Sequence, residues 1–162
     1  MPRTVVGAPA PTTAAVPRWV PLTSLVLAVA GLGVAAYLTY EHYTQGTTLA
    51  CPDTGAINCA KVTSSDQSYV FGVPVALLGL LFFVALVPLC LPLAWRSAQP
   101  AVRWGRVAAV SVGVLFVFYL IYAELFLIGS ICLWCTAVHV LTLALFAVVA
   151  LGTASMDTTS ER

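Results

Sequence analysis

ICLWCTAVHVLTLALFAVVAL, residues 131–151, is the stretch whose reading decides the fold. It is dominated by apolar residues, opens with the Cys-x-x-Cys pair Cys132 and Cys135, and carries one ionisable side chain further in, His139. About 20 such residues, rising ~1.5 Å each as a helix, cross a hydrocarbon core of about 30 Å. Written as a helix, Cys132 and Cys135 (i, i+3) share a face, and His139 (i+4 from Cys135) lies on that face one turn further on. Two thiols in a helix's first turn sit at its positive end, which favours the nucleophilic thiolate.

Working outward, three more windows have membrane-spanning length and apolarity, near 20–40, 71–94 and 107–129. Apolar residues make up 60% of the chain and charged residues 8%, which excludes a soluble domain with a solvated surface. The expectation is an all-α integral membrane protein. It is a four-transmembrane-helix bundle over 20–152, with a long outward-facing first loop and tails at 1–19 and 153–162. The 1–19 tail is rich in Ala, Pro, Thr and Val without apolar period, and reads as disordered. The first span is longer than a signal-peptide core and ends in Tyr37, Tyr40 and Tyr43, so it reads as a retained helix with an interfacial belt. Gly31 and Ala35 form a small-xxx-small step suited to close helix packing.

Orientation follows from the cations. Arg3 and Arg18 precede the first span, Arg96, Arg103 and Arg106 fill the loop after the second, and Arg162 ends the chain. Only Lys61 lies in the 41–70 loop, with Glu41, Asp53 and Asp66. The positive-inside bias places both termini and the 95–106 loop in the cytoplasm, and the 41–70 loop and the Gly129–Ser130 turn outside. A net charge of +1 and no basic stripe exclude nucleic acid as a partner.

The outward loop holds Cys51 and Cys59, with Pro52, Asp53, Gly55 and Asn58 between them to turn the chain back. In an oxidising compartment such a pair closes a structural staple or serves as one half of a redox relay. Pro74 suits a helix start, while Pro88 and Pro92 kink or end the second span. Cys90, deep in that span, reads as a packing residue, and Trp95 and Trp104 as interface anchors. Glu124 lies within the third span. An acid there either reaches the interface and is solvated, or faces a polar cavity near the thiols.

The ordered set Cys51-x7-Cys59, Lys61-Val62 with Ser64-Ser65, Phe71-Gly72-Val73-Pro74 and Cys132-x-Trp134-Cys135 resembles the vitamin K epoxide reductase (VKOR) family, in its bacterial form, over about 22–151. The resemblance implies a four-helix bundle around a quinone, menaquinone or ubiquinone, capped by the first loop. It implies Cys132 and Cys135 as the active-site pair, Cys135 next to the quinone, and Cys51 and Cys59 as the shuttle pair, Cys59 passing electrons to Cys132. Ser65 takes the family's serine position beside the redox centre. By their own positions, on the thiols' face and within the third span near them, His139 and Glu124 are expected at the quinone site too. Some bacterial members carry a fused thioredoxin-like domain. This chain is expected to lack one and to re-oxidise a separate, extracytoplasmic thioredoxin-like (DsbA-like) oxidase from a bacterial cytoplasmic membrane. Vertebrate members have a tyrosine where His139 stands and a second-span asparagine without clear counterpart here, departures that count against vitamin K epoxide as substrate.

Two alternatives stand beside this. DsbB-like quinone reductases have four spans and two outward cysteine pairs, but in the reverse order along the chain. A metal-binding membrane protein would use Cys132, Cys135 and His139 as soft ligands, with a fourth ligand missing.

Overall fold

The structure, a computed structural model, describes residues 16–44, 50–52 and 54–160. Arg3, Asp53, Arg162 and most of the expected 1–19 tail lie outside them. Three helices are long and apolar enough to cross a membrane: α1 (Trp19–Tyr43), α5 (Pro100–Tyr122, continued to Ile128 by a wider π turn) and α6 (Leu133–Ser160, apolar to Met156). This is a multi-pass membrane protein. α2 (Cys59–Thr63) lies between α1 and the fourth apolar helix, α3 (Val75–Cys90), which is shorter than the expected 71–94 span.

Both ends of α3 have a local cause. At its start, Tyr69–Val70 (β1) pairs antiparallel with Val73–Pro74 (β2), which withholds residues 71–74 from the helix. The two-residue turn has Phe71 at φ 51° and Gly72 at φ 79°, the left-handed pair that suits right-twisted strands. At its end, Pro92 disfavours helical geometry in the preceding residue. Leu91 is accordingly extended (ψ 144°), and the chain resumes as α4 (Pro92–Trp95).

α1 packs on α3 and α6, and α5 packs on α6 and α3, so the four apolar helices close a ring. Aromatic side chains of α3 set the spacing. Phe83 lies against Gly31 of α1 and Phe82 against Gly113 of α5, each where a Cβ would collide with the ring. Large apolar side chains such as Val26, Leu115 and Phe118 point away from the core, as lipid-facing residues do.

At the end of the bundle near α4, two sequence expectations are revised. Arg106, expected in a loop, is in α5 and buried. It donates to the Leu89 carbonyl (2.9 Å) and lies 3.4 Å over the Trp95 ring. Trp95 is no interface anchor: it is buried and donates to Ser24 Oγ (3.1 Å), whereas Trp104 is exposed. Cys90 is fully buried in this same core, in a different cluster from the other four cysteines. At the other terminus, α6 runs past 151 to Ser160 through residues expected to form a tail.

Candidate redox site

Cys51 and Cys59 form a disulfide with Cα atoms 6.1 Å apart, while Cys132 and Cys135 are separate thiols. Asn58 fixes where α2 begins. Its side chain accepts from the Lys61 backbone N–H (2.8 Å), as an N-cap does, so Cys59 takes the first helical position. One residue earlier, Ile57 pairs with Ile131 in a parallel bridge. Asn58 N–H donates to the Ile131 carbonyl (3.1 Å) and Ile131 N–H to the Ala56 carbonyl (2.9 Å). This bridge lays the segment before Cys59 along the segment before Cys132. Cys59, Val62 and Cys132 form one buried cluster, against which Cys51, Trp134 and Cys135 pack.

Trp134, inside the Cys-x-x-Cys motif, ties down the other end of the loop. Its indole N–H donates to the Ala50 carbonyl (3.0 Å), and its ring lies 4.8 Å from that of Tyr37, whose hydroxyl accepts from Ala50 N–H (3.1 Å). Sequence reasoning gave Trp134 and Ile131 no such role, because their partners are distant in the chain.

α6 begins at Leu133, so Cys132 stands at its N-cap. Its sulfur accepts from Cys135 N–H (3.3 Å), and its carbonyl accepts from Thr136 N–H (2.9 Å). A thiol thus occupies the place where a Ser or Asp oxygen more often meets the third helical amide. Cys135, one turn inside, faces a different space.

That space is an apolar cavity of about 300 Å³ lined by residues of α1, α2, α3, α5 and α6. Cys135, His139, Ser65 and Glu124 all line it, with Phe82 and Phe116 among the apolar walls. His139 and Glu124 are 4% and 6% exposed, so neither is a solvated interface residue, one of the two readings open for Glu124. The π turn Ala123–Ile128 carries Glu124; wider turns of this kind recur at functional sites. Gly129 (φ 64°) ends the turn in the left-handed conformation, and Ser130 N–H returns to the Glu124 carbonyl (3.1 Å). The Ser65 hydroxyl donates to the Val62 carbonyl (2.7 Å), securing the end of α2 over the cavity. His42, which the sequence did not single out, also lines the cavity and is joined to Tyr69 Oη (3.2 Å) of the hairpin.

Among the described residues no three His, Cys, Asp or Glu side chains converge as a metal donor set, which gives the Cys132, Cys135 and His139 metal reading no geometric support. The arrangement is a thiol–disulfide pair on one side of Cys132 and a greasy chamber beside Cys135. Residues 22–150 match the sequence model of the vitamin K epoxide reductase family. The chain belongs to that family. Membership makes this VKOR-family protein a membrane oxidoreductase of the thiol–disulfide type, in a family that generally uses quinone-type acceptors and thioredoxin-like partners.

Proposed function

We propose that this protein passes electrons from a separate, reduced thioredoxin-like (DsbA-like) oxidase to a membrane quinone, menaquinone or ubiquinone, and so sustains disulfide formation in exported proteins. It spans a bacterial cytoplasmic membrane four times, α3 with α4 serving as the second span, with both termini cytoplasmic and both cysteine pairs on the outer face. The single observation that carries the reading is the position of the Cys132–Cys135 pair. Cys132 packs against the Cys51–Cys59 disulfide while Cys135 lines the apolar cavity.

The exchange steps follow from that order. A partner thiolate attacks Cys51 of the Cys51–Cys59 disulfide, and the partner's second thiol resolves the mixed disulfide. The partner leaves oxidised, and Cys51 and Cys59 hold the electron pair as thiols. Cys59 thiolate then attacks Cys132 of a Cys132–Cys135 disulfide, Cys51 resolves that bond, and the electron pair resides on Cys132 and Cys135. The Cys135 N–H beside Cys132 Sγ favours sulfur as it attacks or leaves.

The cavity fits a quinone ring: its walls are mostly apolar, aromatic side chains flank it, and a few polar groups converge beside one thiol. A quinone bound there supplies a two-electron, two-proton acceptor. The chain's own part is to hold Cys135 at the wall, keep bulk water out, and present the His139 imidazole as a hydrogen-bond donor.

The test is trapping. Cys59→Ala should leave Cys51 joined to a thioredoxin-like partner in a reductant-sensitive adduct on non-reducing gels. An adduct that forms without Cys51 and requires Cys132 would refute the order.

A further inference from the structure

The reaction just proposed leaves protons and electrons in different places. The partner gives up two electrons and two protons where its dithiol meets Cys51. The two electrons cross through the two cysteine pairs, and two protons must enter the cavity for the acceptor to leave as a quinol. Disulfide exchange carries no proton inward, so a separate route is needed.

Glu124 stands where one is required. It lines the apolar cavity beside Cys135 and also lines a second, open pocket of about 230 Å³ with Ala56, Gly129, Ser130 and Ile131. It is the one residue common to the linings given for both spaces. Glu124 is 6% exposed, and Ser130 N–H donates back to its carbonyl (3.1 Å), closing the turn that separates the two spaces. The ionisable groups around it are the two thiols and His139 on α6, and His42 of α1 across the cavity. Lys61 of α2 is exposed. The geometry points to Glu124 as the proton carrier between the outer pocket and the cavity, taking a proton on the Gly129–Ser130 side and releasing it beside Cys135. This rests on the quinone reading above.

An acid that both binds and releases a proton at this spot fits the local backbone. Glu124 belongs to the wide turn and lines both spaces, so it stands at the partition between them. Gln at this position keeps the shape and the acceptor oxygen but carries no proton.

The experiment uses the full chain in lipid vesicles, dithiothreitol as reductant and a short-chain ubiquinone analogue as acceptor. Glu124→Gln should reduce the analogue about a hundredfold more slowly, the size of a lost general acid. Added formate, a small acid able to enter the outer pocket, should restore much of the rate, and Glu124→Asp should retain more activity than Gln. Reduction of the Cys51–Cys59 disulfide by dithiothreitol without quinone should match the wild type, which shows that the variant is folded. A second readout needs no acceptor. In quinone-free protein, the infrared carboxyl band absent from Glu124→Gln should follow a jump in bulk pH. Wild-type quinone reduction by Glu124→Gln, a loss that formate does not relieve, or a carboxyl band blind to bulk pH overturns the inference. Failure of the wild type to reduce the analogue overturns instead the proposed function on which it rests.

Discussion

Replacing Trp134 by Phe tests whether the cap is held as a docked unit. The substitution keeps an aromatic ring against Tyr37 and removes one hydrogen bond, from the indole N–H to the Ala50 carbonyl (3.0 Å). That contact lies at an exposed position, so water satisfies the orphaned carbonyl and no burial penalty is added. The loss is then the net value of one hydrogen bond, about 0.5–1.5 kcal/mol. With RT near 0.59 kcal/mol, the ratio of docked to undocked cap falls roughly 2- to 13-fold. Amide hydrogen exchange reads this ratio directly where opening is rapidly reversible. The reporters are Asn58 and Ile131, whose N–H groups close the Ile57–Ile131 bridge. Both should exchange faster by that factor, while Val117, buried in α5, should not change. Unchanged exchange at 58 and 131 would refute the clasp. A rise shared by Val117 would mean that the indole supports the whole bundle and not the cap.

Three further outcomes are expected. His139→Leu removes a donor from the cavity wall and should slow quinone reduction by roughly one to two decades, corresponding to about 1–3 kcal/mol; exchange between the two cysteine pairs, measured without quinone, should stay unchanged. Gly31→Val forces a side chain into the Phe83 ring and should cost about 1–3 kcal/mol, read as a lower thermal midpoint in detergent, whereas Gly33→Val, with open space around it, should cost far less. After mild reduction of intact cells, a membrane-impermeant thiol reagent should label Cys51 and leave the fully buried Cys90 untouched; the opposite pattern would invert the proposed topology.

Much of the scaffold was legible in the sequence because a membrane imposes strong local rules. Apolar length marks the helices, and Pro92 announces where α3 gives out. What stayed hidden depends on pairing between distant segments. Nothing in the periodicity of residues 56–58 says that they lie parallel to Ile131, yet that bridge brings Cys59 to Cys132. Arg106 read as a loop cation because charge alone suggests water; its ring partner Trp95 and carbonyl partner Leu89 belong to other helices. The early start of α5 at Pro100 and the hairpin at 69–74 shifted boundaries for a simpler reason, since turn chemistry and apolar windows overlap there.

The buried Arg106 also acts as a depth gauge. Counted along α5, it lies eighteen residues before Glu124, a rise of about 27 Å at ~1.5 Å per residue, close to the hydrocarbon thickness of roughly 30 Å. One end of the helix is thus moored by a guanidinium laid on Trp95, and the other carries a carboxyl that lines the cavity with Cys135. Sliding α5 by a single residue would lift the cation off its ring and shift the acid from its place on the cavity wall. The vertical position of the acid is therefore set at the far end of the protein, by a residue that never touches the cavity.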